Sequence, residues 1–209
     1  MTMDRRNFLA VSAAAGLALG VGGAAPAYAL TNADLLVPQT LPDMAMGKED
    51  APVTIVEYAS VICPHCAHFH ENTLPALKEK YIDTGKVRMI FREFPYENRA
   101  AAGFMLARCA PEDKYFPLID VLFKQQRSWA TAPDPRPQLL QIAKLAGFTQ
   151  ESFEACLKNQ ELLDKVIGVY EKATKDYGVD STPTFFINGE KAAGALSIDE
   201  ISKIIDKYL

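Results

Sequence analysis

The chain has 209 residues, 49% of them hydrophobic, a net charge of −4 and four cysteines. That length carries one domain with a sizeable core, or a domain with an insertion. The acidic balance gives no electrostatic footprint for nucleic acid, and four cysteines allow two disulfides or one metal site.

Residues 1–29 read as an export signal and stand outside the fold. Asp4-Arg5-Arg6-Asn7-Phe8-Leu9 is a twin-arginine start, Leu9 to Ala25 is an apolar Ala/Gly-rich run, and Ala27-Tyr28-Ala29 is a small-x-small cleavage site. The pattern points to the export route for folded proteins, with cleavage after Ala29. A general secretory signal that happens to hold two arginines, or an uncleaved anchor, is the competing reading. No other stretch is long and apolar enough to cross a membrane. The remainder is then expected in the periplasm, an oxidising compartment where cysteines pair.

Residues 30–50, with Pro38 and Pro42, read as a lead-in arm. It is too short for a dimerisation domain, so a monomer is expected. Val53 to Ala59 is rich in β-branched residues and predicts a buried strand. Cys63-Pro64-His65-Cys66 follows at the junction with a helix, and Pro64 suits a first helical turn. Phe69, Leu74, Leu77 and Tyr81 carry the helical spacing, which Pro75 should kink or break. Asp83 to Lys86 is a turn, and Val87 to Phe94 a second strand closed by Pro95. Two strands joined by a helix make a parallel βαβ unit.

Residues 98–177 show no strand pattern and read as an inserted helical domain. Its expected helices are Ala100 to Ala110, Tyr115 to Trp129 with Phe116, Ile119, Leu122 and Phe123 on one face, and Pro137 to Ala146 stopped by Gly147. A further helix is capped by Thr149, and the last, Leu162 to Tyr177, is ended by Gly178. Thr184 to Ile187 is then a short strand, Asn188-Gly189 a hairpin turn and Glu190 to Ala192 the start of its partner. Ser197 to Glu200 is a capping box for a C-terminal helix through Tyr208. The order is β-α-β, helical insertion, β-β-α. Residues 51–97 and 178–209 thus form an α/β domain around the insertion.

Cys63 falls at a helix N-terminus, where free N–H groups and the helix dipole stabilise its thiolate and lower its pKa. With Cys66 one turn away, the pair is suited to reversible disulfide exchange. A zinc site needs two further ligands. His68 and His70 are too tightly spaced to supply them and read as solvent-facing or locally packed, so no metal is expected. His65, between the cysteines, favours the charged form of Cys63 and hence the reduced state, which makes the disulfide a stronger oxidant. Glu57 lies in an apolar strand, a costly place without work or a partner. It is either a proton acceptor for Cys66 or a strand-edge residue pointing at water. Thr182-Pro183 precedes the third strand, where an X-Pro bond can be cis and Thr182 can offer its backbone to an extended peptide. Cys109 and Cys156 are either a second, structural disulfide, worth about 4 kcal/mol on the chain-entropy model, or two buried free thiols.

Cys63-Pro64-His65-Cys66, followed by Ala67-x-Phe69-His70 and Leu74-Pro75, with Phe94-Pro95 and Thr182-Pro183-Thr184-Phe185-Phe186-Ile187-Asn188-Gly189, resembles the DsbA-type thiol–disulfide oxidoreductases of bacterial envelopes. The resemblance runs over residues 47–209. It implies a thioredoxin fold with an inserted helical domain and no cofactor. It implies that Cys63 attacks, Cys66 resolves, Pro183 is cis and Glu57 occupies the family's acidic position. The implied activity is donation of the Cys63–Cys66 disulfide to unfolded exported proteins with free thiols. Reoxidation by a DsbB-type, quinone-linked membrane protein is implied with it. Thr182 stands where the best-known oxidases often carry Val, and threonine there is common in isomerases. Cys109 with Cys156 and the twin-arginine start are similar to the DsbA-like branch of alphaproteobacteria. A disulfide isomerase or reductase of the same fold is the nearest alternative, and a metal-binding protein using the cysteines and nearby histidines a more distant one.

Overall fold

The structure, a computed structural model, describes residues 30–209; the expected export signal lies outside them. The chain runs α1 (Asn32–Leu35), β1 (Met44–Met46), β2 (Val53–Ala59), α2 (Pro64–Asn72) and α3 (Leu74–Leu77). A π-helical turn (Lys78–Ile82) leads to β3 (Val87–Glu93). The helices α4 (Asn98–Cys109), α5 (Tyr115–Lys124), α6 (Gln126–Ala130), α7 (Arg136–Leu145), α8 (Gln150–Leu157) and α9 (Gln160–Tyr177) follow without a strand. The chain closes with β4 (Thr184–Ile187), β5 (Glu190–Ala193) and α10 (Ile198–Ile205).

The sheet order is β1-β3-β2-β4-β5, with β2 and β3 parallel and the other neighbours antiparallel. All seven residues of β2 are buried, which explains why the strand is a near-continuous apolar run. One face of the sheet packs Ile55, Met89, Phe185 and Ile187 on Phe69, Leu74 and Leu77 and on Ile201 and Ile205 of α10. The opposite face, with Val56, Tyr58, Ile90 and Phe186, packs on Val166, Val169, Ala173 and Tyr177 of α9.

Local chemistry accounts for most element ends. Pro64 is the first residue of α2. The helix ends at Thr73, two residues before Pro75, and restarts as α3. Thr149 and Ser197 accept the N-cap bonds expected of them, and Gly178 takes the left-handed conformation at the end of α9. Asn188 and Gly189 both have positive φ, as a two-residue hairpin turn requires. A Cβ on Gly189 would meet the Leu30 carbonyl oxygen at 2.1 Å.

Two parts differ from the sequence expectation. Residues 30–50 are not a bare arm: β1 pairs Met44 with Phe91 and Met46 with Met89 at the sheet edge. Two arginines hold this segment down. Arg92 makes a bidentate pair with Asp43, at 2.8 and 2.9 Å, and donates to the Tyr58 hydroxyl at 2.8 Å. Arg108 donates to the Pro42 carbonyl and pairs with the buried Glu93. The helix expected over Tyr115 to Trp129 is broken at Gln125 into α5 and α6. Leu118, rather than Phe116, joins Ile119, Leu122 and Phe123 in the core.

Cys109 and Cys156 form a disulfide between α4 and α8, with a sequence separation of 47. Replacing both by alanine is expected to cost about 4 kcal/mol on the chain-entropy model, lowering Tm by roughly 10 °C. Thermal unfolding followed by circular dichroism checks this; an unchanged Tm would show that the bond does not constrain the fold.

Candidate thiol-exchange site

The C-terminal end of β2 delivers the chain to Cys63, which is the N-cap residue of α2. Cys63 has no side-chain capping bond of its own, so the first-turn N–H groups are left to face its sulfur. Cys63 and Cys66 are both unbonded. Pro64 and His65 are exposed, while Cys63 is 6% and Cys66 0% exposed. One sulfur therefore meets solvent at the helix start and the other lies beneath it.

β4 runs antiparallel to β2, with Tyr58 opposite Thr184. This brings the loop before β4 to the helix start. The Thr182–Pro183 peptide is cis. Cys63 Sγ lies 3.3 Å from the Thr182 carbonyl oxygen, to which the thiol donates. Pro183 is buried, and its carbonyl accepts from Gly194 N–H at 2.9 Å, which ties the loop to the end of β5.

These contacts separate the two sulfurs electrostatically. The Cys66 thiol donates to the ionised Cys63 sulfur and is the largest influence lowering the Cys63 pKa, to about 5. Burial opposes it. The Thr182 side chain and the backbone N–H groups of Cys66 and His65 add to it. The helix start thus stabilises the thiolate through specific donors, and His65 acts there through its backbone. Cys66 moves the other way: burial pushes its thiol well up, and the neighbouring Cys63 and Glu57 charges push it further. Tyr96, half exposed beside Ser60, has its hydroxyl pKa raised by burial and then by the nearby Cys63 charge.

Glu57 is fully buried on the central strand, not at a strand edge. It holds His70, whose Nε2 lies 3.0 Å from Oε2. This corrects the expectation for His70, which neither faces solvent nor packs only locally; His68 does face solvent, 3.1 Å from the Asn72 amide. Among the described residues no group of three or more His, Cys, Asp or Glu side chains is placed to hold a metal ion. None of their helices is long and apolar enough to cross a membrane.

Gln126 carries no sequence signal for its place at the site. Its buried amide donates to the carbonyls of Val61 at 2.9 Å and Cys63 at 3.0 Å. The break between α5 and α6 is what turns Gln126 toward the strand-to-helix junction.

A buried thiol beneath a stabilised thiolate, on a thioredoxin-like sheet with a cis-proline loop opposite, defines the thioredoxin class of exchange sites. A family model described as thioredoxin matches residues 39–207, and the chain belongs to that family. Within it, the chain is similar to Wolbachia pipientis alpha-DsbA1, with 35% sequence identity and a TM-score of 0.77 over 85% of this chain and 96% of that one. BdbD from Bacillus subtilis shares the fold, with a TM-score of 0.71 at 22% identity over 79% of this chain and 92% of its own. A Rickettsia bellii protein named "Putative protein-disulfide oxidoreductase" is 37% identical over 80% of this chain and 64% of its own length. The chain therefore spans a little under two thirds of that curated relative.

The hydrogen bond from Cys66 is testable. The Cys63 thiolate is expected to titrate near pH 5, followed by its ultraviolet absorbance. Cys66→Ala removes a hydrogen bond to a charged group, worth about 1.5–3 kcal/mol, and is expected to raise the midpoint by roughly 1–2 units. Cys66→Ser, which keeps a donor, is expected to fall between the two. A midpoint indifferent to both changes would remove Cys66 as the leading cause.

Proposed function

We propose that this protein is a DsbA-type dithiol oxidase of the bacterial periplasm, which donates the Cys63–Cys66 disulfide to exported proteins with free thiols. The observation that carries the proposal is the unequal treatment of the two sulfurs: donors gathered on Cys63, burial and negative charge around Cys66. A stabilised Cys63 thiolate favours the reduced protein, and a stable reduced form makes the disulfide oxidising.

The cycle starts with the disulfide closed. A substrate thiolate attacks the Cys63 sulfur, and Cys66 leaves. In the mixed disulfide the Thr182 backbone, opposite Cys63 and preceding the cis-proline, pairs with the extended substrate chain. A second substrate thiolate then attacks the substrate sulfur of that bond. Cys63 departs readily because its thiolate is stabilised, leaving an oxidised substrate and a reduced protein. The chemistry needs no cofactor. Reoxidation is assigned to a DsbB-type, quinone-linked membrane protein, and export to the twin-arginine pattern of residues 1–29 with cleavage after Ala29. The likeness to alpha-DsbA1 supports this reading, as does the name of the Rickettsia relative.

Equilibration with glutathione redox buffers tests the direction. An oxidase is expected well above thioredoxin's roughly −270 mV, toward the roughly −120 mV of DsbA. A potential near thioredoxin's would instead make the protein a reductase.

A pH dependence follows from the same sulfur. Only the reduced protein carries a titrating Cys63, whose pKa is lowered on folding. The resulting stabilisation is full above the ordinary thiol pKa, about 3 kcal/mol at pH 7, and is lost as the pH falls through about 5. The reduced form is expected to exceed the oxidised form in Tm at pH 7, the gap closing toward pH 4. Paired thermal melts across that range check it, and a gap independent of pH would contradict the assignment.

A further inference from the structure

Both Glu57 oxygens face one atom: His70 Nε2 lies 3.1 Å from Oε1 and 3.0 Å from Oε2. Among the described residues His70 is the ion-pair partner of Glu57. His70 stands one helical turn beyond Cys66 on α2, so the sulfur and the imidazole project from the same side of the helix. Aromatic rings pack around the pair, Phe123 at 4.3 Å, Phe91 edge-on at 5.5 Å and Phe69 at 5.8 Å between centroids, and leave solvent a narrow approach on the His70 side, whose side chain is 3% exposed. The second ring nitrogen, Nδ1, is buried with no hydrogen-bond partner among the described residues.

A buried carboxylate needs a compensating charge or a proton. The pair is neutral when it carries one proton beyond a carboxylate and a neutral imidazole. No protein group among the described residues bonds to Nδ1, so the protein itself does not lock that proton on the ring. The other ionisable groups on this side are Cys66 and Cys63 from α2, Tyr115 from α5 and Glu93 from β3. Glu93 is already matched by Arg108 and by the Tyr115 hydroxyl, which donates to it at 2.7 Å.

We infer that His70 is a positioning residue for the exchange reaction: it fixes Glu57 and shares with it the proton that Cys66 gains on release and gives up before attack. The inference rests on the exchange activity proposed above and assigns its proton to a particular pair. When a substrate thiolate bonds to the Cys63 sulfur, the Cys63–Cys66 bond breaks and Cys66 leaves with the electron pair. The Glu57–His70 pair gives its proton to that sulfur, becomes singly negative and is refilled from solvent. In the reverse direction the pair takes the proton from Cys66, whose sulfur attacks Cys63 and releases the substrate as a thiolate.

The test is the rate constant for oxidised protein reacting with reduced glutathione between pH 4 and 9, corrected for the glutathione thiolate fraction. In the wild type the corrected constant is expected to rise as the pair becomes protonated. His70→Gln keeps a donor for Glu57 and cannot hold the proton. It is expected to flatten the profile and lower the constant at pH 6 by roughly tenfold or more. Glu57→Gln should do the same, and the double variant should lose no more than either single one. A His70→Gln profile that overlays the wild type, or losses that multiply, would overturn the inference. Nitrogen NMR of the His70 ring in the wild type needs no variant. Its pH profile is expected to differ between the oxidised protein and the protein reduced with dithiothreitol, and identical profiles would also overturn the inference. A wild type that does not react with glutathione would refute the exchange activity itself, while the ring spectra still decide whether His70 senses Cys66.

Discussion

The site depends on β2 being buried along its whole length, with a parallel neighbour on one side and an antiparallel one on the other. The parallel partner β3 requires the crossover through α2, and that crossover places Cys63 where the strand ends. The antiparallel partner β4 starts at the same end, and so sets Thr182 against the Cys63 sulfur across a sequence separation of 119. A slip of β2 by one residue would turn Glu57 to the other face of the sheet. Packing of the central strand thereby selects which atoms meet at the exchange site.

Charge inside the molecule follows a consistent pattern. Three buried groups, Glu57, Arg92 and Glu93, lie on the two central strands, and each is answered by a different part of the chain. His70 comes from the crossover helix, Asp43 from the segment before β1, and Arg108 with Tyr115 from the insertion. Such pairs add little net stability against an apolar core, but losing one partner is expensive. They penalise misplacement of the segments they join. The Tyr58 hydroxyl belongs to the same arrangement: burial pushes its pKa up to about 12, so it remains a neutral acceptor for Arg92.

Much of this was legible in the sequence, because the signals were local. The β-branched run of β2, the Asn188-Gly189 turn, the Thr149 and Ser197 caps and the proline after Cys63 each carry their own physical reason. What escaped was set by distant contacts. Three residues, Met44 to Met46, make a strand only because β3 offers an open edge; short edge strands carry little pattern of their own. His70 read only as solvent-facing or locally packed, because nothing near it in sequence links it to Glu57, although Glu57 in an apolar strand did announce the need for a partner. Gln126 had no signal, since its acceptors are two backbone carbonyls far away in sequence. The four residues of the Cys63–Cys66 tetrad were plain from the start, whereas the groups that tune them come from other elements.

The Gln126 amide has a mechanical consequence. One planar group grips two carbonyls that flank the bend from β2 into α2, and its own backbone belongs to the insertion. Any swing of the insertion about the sheet must strain both bonds together, at the point where the strand becomes the helix. The bend therefore acts as a clamped pivot, and a displacement of the insertion is transmitted to the backbone that carries Cys63.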